Sequence, residues 1–424
     1  MTDSQIQLTT TDAADTRPHL VIVGGGFGGL YAARALAGTP LRISLVDRQN
    51  YHLFQPLLYQ VATALLSPSD IASPIRQIVR RQRNVRSFLG EVVDVKPDAK
   101  QVILEDGVMD FDYLIVATGS THAYFGHDEW AQFAPGLKTV EDALRIRHRI
   151  LHSYEAAEKK SDYPGSRPLL TYVIVGGGPT GVELAGALSD LADAISQDFR
   201  HVNRDLVRVV LVEAGERILP GFPLASSNWA KARLTQRRVE VRTGASVTSI
   251  DGKGVMIGDD RIETQNVVWA AGVSASPLGR ALAAPLDGAG RVLVGEDLTA
   301  PGHPNIFVVG DLAVVFNDGA QVPGVATAAI QQGQAAAANI IRTLEGWPTQ
   351  PFIYKDKGIL ATISRRNAVA VFPKFQLTGF PAKLVWLVVH IYFLIGFRNR
   401  LIVMIQWFWA SATRQRGARL ITEK

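Results

Sequence analysis

The chain has 424 residues, of which 47% are apolar, and it carries a net charge of +5 and no cysteine. This length and composition are typical of an ordered globular protein of two or three domains. Without cysteine there are no disulfides, thiolate metal sites, iron–sulfur clusters or thiol relays, so any electron transfer requires a bound cofactor.

The first 17 residues are polar and include no apolar run of the kind found in signal peptides, which predicts a disordered tail and a location in the cytoplasm or on that side of a membrane. A strand is predicted from His19. It runs into the glycine loop Gly24–Gly29, and a helix follows to about Gly38. Strands between about residues 85 and 120 should return to the same sheet, and the last of them is in Phe111–Gly119.

The same pattern occurs a second time downstream. Residues 171–183 read Thr-Tyr-Val-Ile-Val-Gly-Gly-Gly-Pro-Thr-Gly-Val-Glu, again a strand, G-x-G-x-x-G and a helix. From Gly26 to Gly119 is 93 residues, and from Gly178 to Gly272 is 94. The repeat predicts an α/β protein with two Rossmann-like dinucleotide-binding domains, and two dinucleotides in one chain indicate electron transfer between them.

Each glycine of such a loop has a separate task. The first makes the tight turn, the second lets the backbone approach a pyrophosphate, and the third lets the helix pack on the strand. The helix N-terminus then offers free N–H groups to the phosphates. The predicted pyrophosphate-binding glycines are Gly24, Gly26 and Gly29 in the first domain and Gly176, Gly178 and Gly181 in the second.

An acidic residue at the end of the following strand is expected to hold a ribose. This is Asp47 in the first domain, 21 residues after Gly26, and Glu213 in the second, 35 residues after Gly178. The longer spacing predicts extra helix or loop at residues 196–205. Arg217, four residues after Glu213, could partly offset the repulsion of a 2′-phosphate by that carboxylate.

The rest of the domain plan follows from three segments. Residues 164–168, Pro-Gly-Ser-Arg-Pro, predict a turn-rich linker. A strand at residues 305–311 should return to the first sheet, which makes the second domain an insertion in the first. Residues 326–344 predict a helix. The predicted domains are 18–165 with 275–345, then 166–274, and a C-terminal domain at 346–424.

The C-terminal region is basic and apolar. Residues 351–424 hold twelve Lys or Arg and two acids, and two apolar stretches lie at 384–397 and 401–410. A 14-residue helix is ~21 Å long, shorter than the ~30 Å hydrocarbon core. We therefore expect an amphipathic membrane anchor at 384–412 that lies in one leaflet on anionic lipid. A buried hairpin or a homodimer interface is the alternative, and nucleic acid is not expected.

These residues together resemble the two-dinucleotide-binding-domain flavoprotein reductases and, within them, the type II NADH:quinone oxidoreductases. The wider resemblance rests on the two loops with Ala117-Thr-Gly119, Ala271-Gly272 and Val309-Gly-Asp311. The narrower one rests on five segments: residues 50–62 (Asn-Tyr-His-Leu-Phe-Gln-Pro-Leu-Leu-Tyr-Gln-Val-Ala), 182–187, 270–277, 329–333 and the His-Ile-Tyr-Phe-Leu-Ile-Gly-Phe-Arg-Asn-Arg run from His390.

The resemblance implies a respiratory NADH dehydrogenase that binds FAD and NADH and reduces a membrane quinone without pumping protons, as a monotopic enzyme on the cytoplasmic face of the cell membrane. A soluble NADH-dependent ferredoxin or rubredoxin reductase is the alternative, whereas a sulfide:quinone reductase would need redox cysteines. By resemblance, FAD binds Gly24, Gly26, Gly29, Asp47, Thr118, Gly119, Gly310 and Asp311, and NADH binds Gly176, Gly178, Gly181, Glu213 and Gly272.

Three further roles are implied by the resemblance. Glu183 would face the flavin and the nicotinamide, where it orients the ring or relays a proton, although a Glu early in a helix is also favoured by the helix dipole. The family's quinone segment A-Q-x-x-x-Q corresponds to residues 326–331, where Gln331 matches and Thr327 replaces the first Gln. Both are expected at the quinone, and a solvated helix face is the alternative. Asp311 could instead cap the turn before Leu312.

Overall fold

A computed structural model gives the structure of residues 15–160, 163–413 and 415–421. The predicted tail therefore lies almost entirely outside the described residues. The contacts of the chain divide it into two compact units. Unit 1 is Met1–His52, Ser73–Thr121 and Val273–Asp356, and unit 2 is Leu53–Ala72, His122–Gly272 and Lys357–Lys424. The domain bounds given above stay a prediction.

The core of unit 1 is a sheet whose central strands are runs of buried Val, Ile and Leu, as is usual for parallel strands. The strand His303–Val308 pairs in parallel with Tyr113–Val116, which confirms that the chain returns to the first sheet after the second glycine loop. The strand order is Val85–Leu89, Arg42–Asp47, His19–Val23, Tyr113–Val116, His303–Val308 and the antiparallel edge strand Thr299–Ala300.

The core of unit 2 repeats this arrangement. Its strand Thr171–Val175 pairs on one side with Arg208–Glu213 and on the other with Asn266–Trp269. In unit 1, His19–Val23 pairs in the same way with Arg42–Asp47 and Tyr113–Val116. The predicted duplication of the sequence is therefore a duplication of sheet topology. The strand order is Val239–Thr243, Arg208–Glu213, Thr171–Val175 and Asn266–Trp269, all parallel.

The glycine loops are each followed by a helix, and the helix predicted at residues 326–344 has those bounds. The segment at 196–205 is largely irregular, with a 3-10 turn at Arg204–Leu206. The predicted linker contains a single helical turn. The helices are α1 (Phe27–Ala35), α2 (Leu58–Ala62), α3 (Pro68–Ile71), α4 (Ile75–Val79), α5 (Val140–Glu158), α6 (Tyr163–Ser166), α7 (Pro179–Ile195), α8 (Leu224–Gln236), α9 (Ala326–Leu344), α10 (Gly379–Phe393) and α11 (Phe397–Thr413).

Smaller sheets complete each unit. Unit 1 contains a three-stranded meander and two short ribbons, and unit 2 contains two three-stranded sheets, the second of which leads into α10. The strands of the three-stranded sheets are Val92–Lys96, Gln101–Leu104 and Gly107–Asp110; Val247–Asp251, Gly254–Ile257 and Asp260–Glu263; and Ile359–Thr362, Ala368–Phe372 and Phe375–Thr378. The shorter strands are Tyr51–Leu53, Ala72–Pro74, Ser120–His122, Val273–Ala275, Val292–Leu293, Ala313–Val314, Phe316–Asn317 and Ala320–Gln321.

The two C-terminal helices are partly core and partly surface. Trp386 of α10 is fully buried, whereas Val388 is 69% exposed. On α11, Phe397 and Phe408 are 82% and 73% exposed. Among the described residues, none of the helices has the length and apolarity required to cross a bilayer. These helices thus combine a buried face with a large exposed apolar one.

Candidate functional site

The first glycine loop has the shape that a pyrophosphate requires. Gly24 has a φ of +104°, which disfavours any side chain, and a Cβ there would also collide with the Ala117 carbonyl oxygen. A Cβ on Gly29 would collide with the Gly24 carbonyl oxygen. A Cβ on Gly26 would meet no atom within 4 Å. The two outer glycines are needed for packing, and the central one leaves room for a ligand.

The second loop reproduces these relationships. Gly176 has a φ of +112°, and a Cβ on it would collide with the Ala270 carbonyl oxygen. A Cβ on Gly181 would collide with the Gly176 carbonyl oxygen, while one on Gly178 would meet nothing within 4 Å. The chain thus contains two equivalent open positions, each at the N-terminus of a helix, where N–H groups attract phosphate.

The predicted ribose carboxylates both lie beside their loops. Asp47 accepts hydrogen bonds from the Gly25 N–H at 2.5 Å and the Gln49 N–H at 2.7 Å. Glu213 accepts from the Gly177 N–H at 2.6 Å and the Gly215 N–H at 2.7 Å. Each carboxylate oxygen retains a lone pair, so both side chains can also accept hydrogen bonds from ribose hydroxyls.

Arg217 does not offer a free cation near Glu213. Its two guanidinium nitrogens donate to the carbonyl oxygens of Phe222 and Pro220, each at 2.6 Å. A 2′-phosphate would therefore meet the Glu213 carboxylate without a ready counter-ion. The expectation that Arg217 offsets this repulsion has no support in these contacts.

The remaining residues predicted at FAD lie in unit 1. The Thr118 hydroxyl is buried and has no hydrogen-bond partner in the described part of the chain, and Gly119 leaves open space, since a Cβ there would meet no atom within 4 Å. The Asp311 carboxylate accepts a hydrogen bond from the Ser120 hydroxyl at 2.8 Å. Asp311 lies within the 3-10 turn Gly310–Leu312, whose N-cap residue is Val309, so Asp311 is not the cap considered above. The open position at Gly26, the Asp47 carboxylate and the unpaired Thr118 hydroxyl fit a flavin dinucleotide.

Glu183 lies in the second turn of α7, beyond the first turn where the helix dipole would explain an acid. Its carboxylate accepts a hydrogen bond from the Thr362 N–H at 3.1 Å, and the Lys383 ammonium donates to the Thr362 hydroxyl at 2.8 Å. Lys383 Nζ also lies 4.0 Å from the centre of the Trp386 ring. Glu183, Thr362 and Lys383 form one network within unit 2.

Two side chains of this network have strongly shifted pKa values. Burial raises the pKa of Glu183 to about 8, although the Thr362 N–H, the Lys383 charge and Trp386 oppose the rise. Burial lowers the pKa of Lys383 to about 8 against the attraction of Asp190 and Glu183. Both groups therefore exchange protons close to neutral pH, which is where a proton relay must work.

Glu183 and Lys383 line a cavity of about 1340 Å³ that lies within unit 2. One wall is polar and follows α7. The other is formed by α10 and α11 and, apart from Lys383 and Arg400, is mainly apolar, with Leu387, Val388, Ile391, Met404 and Phe408. A cavity with convergent titratable groups at one side and apolar side chains at the other suits a ring with polar edges and an apolar tail.

The two residues predicted at the quinone have other contacts in unit 1. The Gln331 amide donates to the Lys355 carbonyl at 3.0 Å and accepts from the Lys355 N–H at 2.9 Å, and it also donates to the Thr327 carbonyl at 3.2 Å. The Thr327 hydroxyl lies 3.4 Å from the Tyr354 hydroxyl. Gln331 thus holds the backbone of residue 355 in place, and its quinone contact stays a prediction.

Sequence reasoning missed Lys383 and Thr362. Lys383 is the only Lys, Arg, Asp or Glu of α10, and such an isolated charge in an apolar helix was the available signal. Thr362 had no comparable signal, because its backbone N–H is what contacts Glu183.

Gly272, predicted at NADH, packs against Phe125, and a Cβ at this position would collide with the Phe125 ring.

Comparison with known proteins agrees with this geometry. The model of the pyridine nucleotide-disulphide oxidoreductase family matches residues 18–333. The type II NADH:quinone oxidoreductases NdhA and Ndh of Mycobacterium tuberculosis are 46% and 44% identical to the chain, over 97% and 96% of it and 91% of each relative. The structure of NDH2 from Plasmodium falciparum in complex with NADH has a TM-score of 0.87 at 20% identity, and the match covers 96% of this chain and 100% of that one.

Because these two relatives are type II NADH:quinone oxidoreductases, the alternative of a soluble ferredoxin or rubredoxin reductase is not favoured. The lack of cysteine separates the chain from any member that depends on a redox disulfide. The chain therefore belongs to the pyridine nucleotide-disulphide oxidoreductase family and, within it, to the type II NADH:quinone oxidoreductases.

Proposed function

We propose that this chain is a respiratory NADH dehydrogenase that passes two electrons from NADH to a membrane quinone. The observation that carries this proposal is the repeated site, in which each glycine loop has an open central position and an adjacent carboxylate. When bound, FAD would supply the two-electron redox chemistry that links NADH to the quinone. The protein supplies binding, orientation and protons.

FAD is assigned to unit 1 and NADH to unit 2. The loop of unit 1 binds the FAD pyrophosphate, Asp47 binds its adenosine ribose, and Thr118, Gly119, Gly310 and Asp311 bind the rest of the cofactor. In unit 2, Gly176, Gly178 and Gly181 bind the NADH pyrophosphate. The Glu213 carboxylate accepts hydrogen bonds from the ribose hydroxyls and repels the 2′-phosphate of NADPH. Gly272 lies at the closing strand of the same site.

Glu183 is the proposed proton donor of quinone reduction. Reduction of a quinone to a quinol consumes two protons. A carboxyl group with a pKa of about 8 is largely protonated at neutral pH, so Glu183 can give a proton to a quinone oxygen. The cavity beside Glu183 supplies the apolar surroundings that a quinone requires.

Gln331 and Thr327, which lie in unit 1, are a separate candidate for a quinone contact. The Gln331 carbonyl oxygen accepts one hydrogen bond from Lys355, so its second lone pair remains to be used. Thr327 offers a hydroxyl where the family has an amide. This difference in size and in hydrogen-bonding groups suggests that Thr327 affects quinone preference.

Membrane association is proposed for α10 and α11. Their exposed Val388, Phe397 and Phe408 would enter the interface, and the exposed Arg398 would meet anionic headgroups. Lipid is favoured over a homodimer as the cover of this surface because a basic residue stands at its edge and the quinone is itself a lipid-phase substrate. The enzyme would be monotopic, on the cytoplasmic face of the cell membrane.

The purified protein provides the test. It should be yellow from bound flavin, lose its absorption near 450 nm when NADH is added without oxygen, and regain it when a quinone follows. A colourless protein, or one whose flavin is reduced by NADH but not reoxidised by any quinone, would contradict the proposal.

A further inference from the structure

In the first glycine loop, the N–H and the carbonyl oxygen of Gly25 each have a side-chain partner. The N–H of Gly25 donates to Asp47, and the carbonyl oxygen of Gly25 lies 2.9 Å from Nδ1 of His52. His52 is 2% exposed, on a short strand that follows the Asp47 strand. A buried side chain from outside the loop therefore forms a hydrogen bond with the loop backbone at the predicted pyrophosphate site.

In the second loop the equivalent carbonyl oxygen has a different kind of hydrogen-bond donor. There the N–H of Gly177 donates to Glu213, and the carbonyl oxygen of Gly177 accepts from the backbone N–H of Leu219 at 2.7 Å. The same carbonyl is held in both units, by a backbone donor in one and by an imidazole in the other. His52 in unit 1 thus takes the place of the Leu219 backbone N–H in unit 2.

The contact fixes the protonation state of the ring. A carbonyl oxygen can only accept, so Nδ1 carries a proton, and in a neutral ring Nε2 then carries none. Nε2 is buried and has no hydrogen-bond partner among the described residues, and the ring packs edge-on against Phe27 at 5.0 Å. Burial also lowers the pKa of His52 to about 4, which agrees with a neutral ring.

The hydrogen bond also orients the next amide. A trans peptide is planar, with C=O and N–H pointing in opposite directions. Since His52 holds the carbonyl of Gly25, the N–H of Gly26 points away from His52. Gly26 is the position where a Cβ would meet no atom within 4 Å, which leaves room for a phosphate.

We propose that His52 is a positioning residue for the flavin pyrophosphate: through its Nδ1–H bond to Gly25 it fixes the loop in the form that presents the Gly26 N–H to the phosphate. This inference rests on the proposed assignment of FAD to unit 1. His52 does not touch the reacting atoms, so its effect is on retention of FAD and not on hydride transfer.

Three substitutions test the proposal in the full-length holoenzyme. Asn places an amide N–H at the position of Nδ1, Gln places it one methylene further out, near Nε2, and Phe keeps the ring without a donor. Release of FAD is followed as the rise of flavin fluorescence after dilution. Loss of one hydrogen bond predicts about two- to tenfold faster release for His52→Gln and His52→Phe, and His52→Asn should match the unmodified protein.

The control is His127→Phe in unit 2, where the half-exposed ring stacks on Trp130 at 4.1 Å and release of FAD should not change. A merely space-filling His52 would give the opposite order, with Phe the best replacement and Asn as poor as Gln, and that order overturns the proposal. If His52→Phe does not fold, the Asn and Gln variants still decide. A wild-type protein without flavin would instead refute the assignment of FAD.

Discussion

The backbone N–H of Thr362 donates to the carboxylate of Glu183, with 3.1 Å between nitrogen and oxygen. Thr362 ends the first strand of the C-terminal sheet, and Glu183 belongs to the helix that follows the second glycine loop. Lys383 of α10 joins the same network through the Thr362 hydroxyl. The C-terminal segment is therefore part of the proposed proton site as well as a candidate anchor.

Replacing Glu183 with Gln should remove the proton donor of quinone reduction. In the unmodified enzyme, reoxidation of the flavin by quinone should slow as the pH rises through about 8, because the carboxyl group then loses its proton. In Glu183→Gln the rate should be lower at neutral pH and lack this dependence. Stopped-flow reoxidation across this range measures it. Identical pH profiles in both proteins would contradict the proton role.

The same substitution should change how stability depends on pH. The pKa of Glu183 is raised from 4.5 to about 8 in the folded protein, which thus binds this proton more tightly than the unfolded chain does. The resulting stability is fully present below pH 4.5 and is lost as the pH rises through about 8. Glu183→Gln should therefore flatten the fall in Tm over this interval. An unchanged fall would show that other groups cause it.

Replacing Glu213 with Gln should weaken the preference for NADH over NADPH. The unmodified enzyme should prefer NADH clearly, because Arg217 is bound to two carbonyl oxygens and cannot readily neutralise a 2′-phosphate. The ratio of kcat/KM for the two coenzymes is the measurement. Glu216→Gln, an exposed acid in the same loop, is the matched control. Equal use of both coenzymes by the unmodified enzyme would refute the assignment of Glu213.

Replacing Gln331 with Leu separates a quinone contact from a structural role. The substitution removes the hydrogen bonds to Lys355, so we expect a loss of about 1–3 kcal/mol in the free energy of unfolding. If Gln331 also binds the quinone, reoxidation by quinone should slow about three- to tenfold while reduction by NADH is unchanged. Gln334→Leu on the same helix, where the side chain is exposed, is the control. Lower stability with normal reoxidation would limit Gln331 to its structural role.

Membrane association is best tested by point substitutions. Deletion of residues 384–424 would remove the fully buried Trp386 and so damage unit 2. The triple variant Val388→Ser, Phe397→Ser and Phe408→Ser alters only exposed side chains of α10 and α11 and should leave FAD bound. Sedimentation with vesicles containing phosphatidylglycerol should fall from nearly complete to slight. Retention of the triple variant on these vesicles would rule out this surface as the anchor.

The sequence predicts those parts of the fold that have a local signature. The glycine loops and their strands are marked by spacing, and α9 by its Ala- and Gln-rich sequence. The return of His303–Val308 to the first sheet is indicated by a strand that ends in Gly310-Asp311. In the network of Glu183, Thr362 and Lys383, a backbone N–H joins positions 179 residues apart, which no residue type reveals. The role of Gln331 at Lys355 was missed for the same reason.

Anaerobic stopped-flow spectroscopy of the unmodified enzyme tests the central claim most directly. NADH should bleach the flavin band, and a quinone added in a second mixing step should restore it, with one quinol formed for each NADH oxidised. NADPH should bleach the band far more slowly. A flavin that NADH cannot reduce, or a reduced flavin that transfers electrons to a ferredoxin or rubredoxin but to no quinone, would contradict the account.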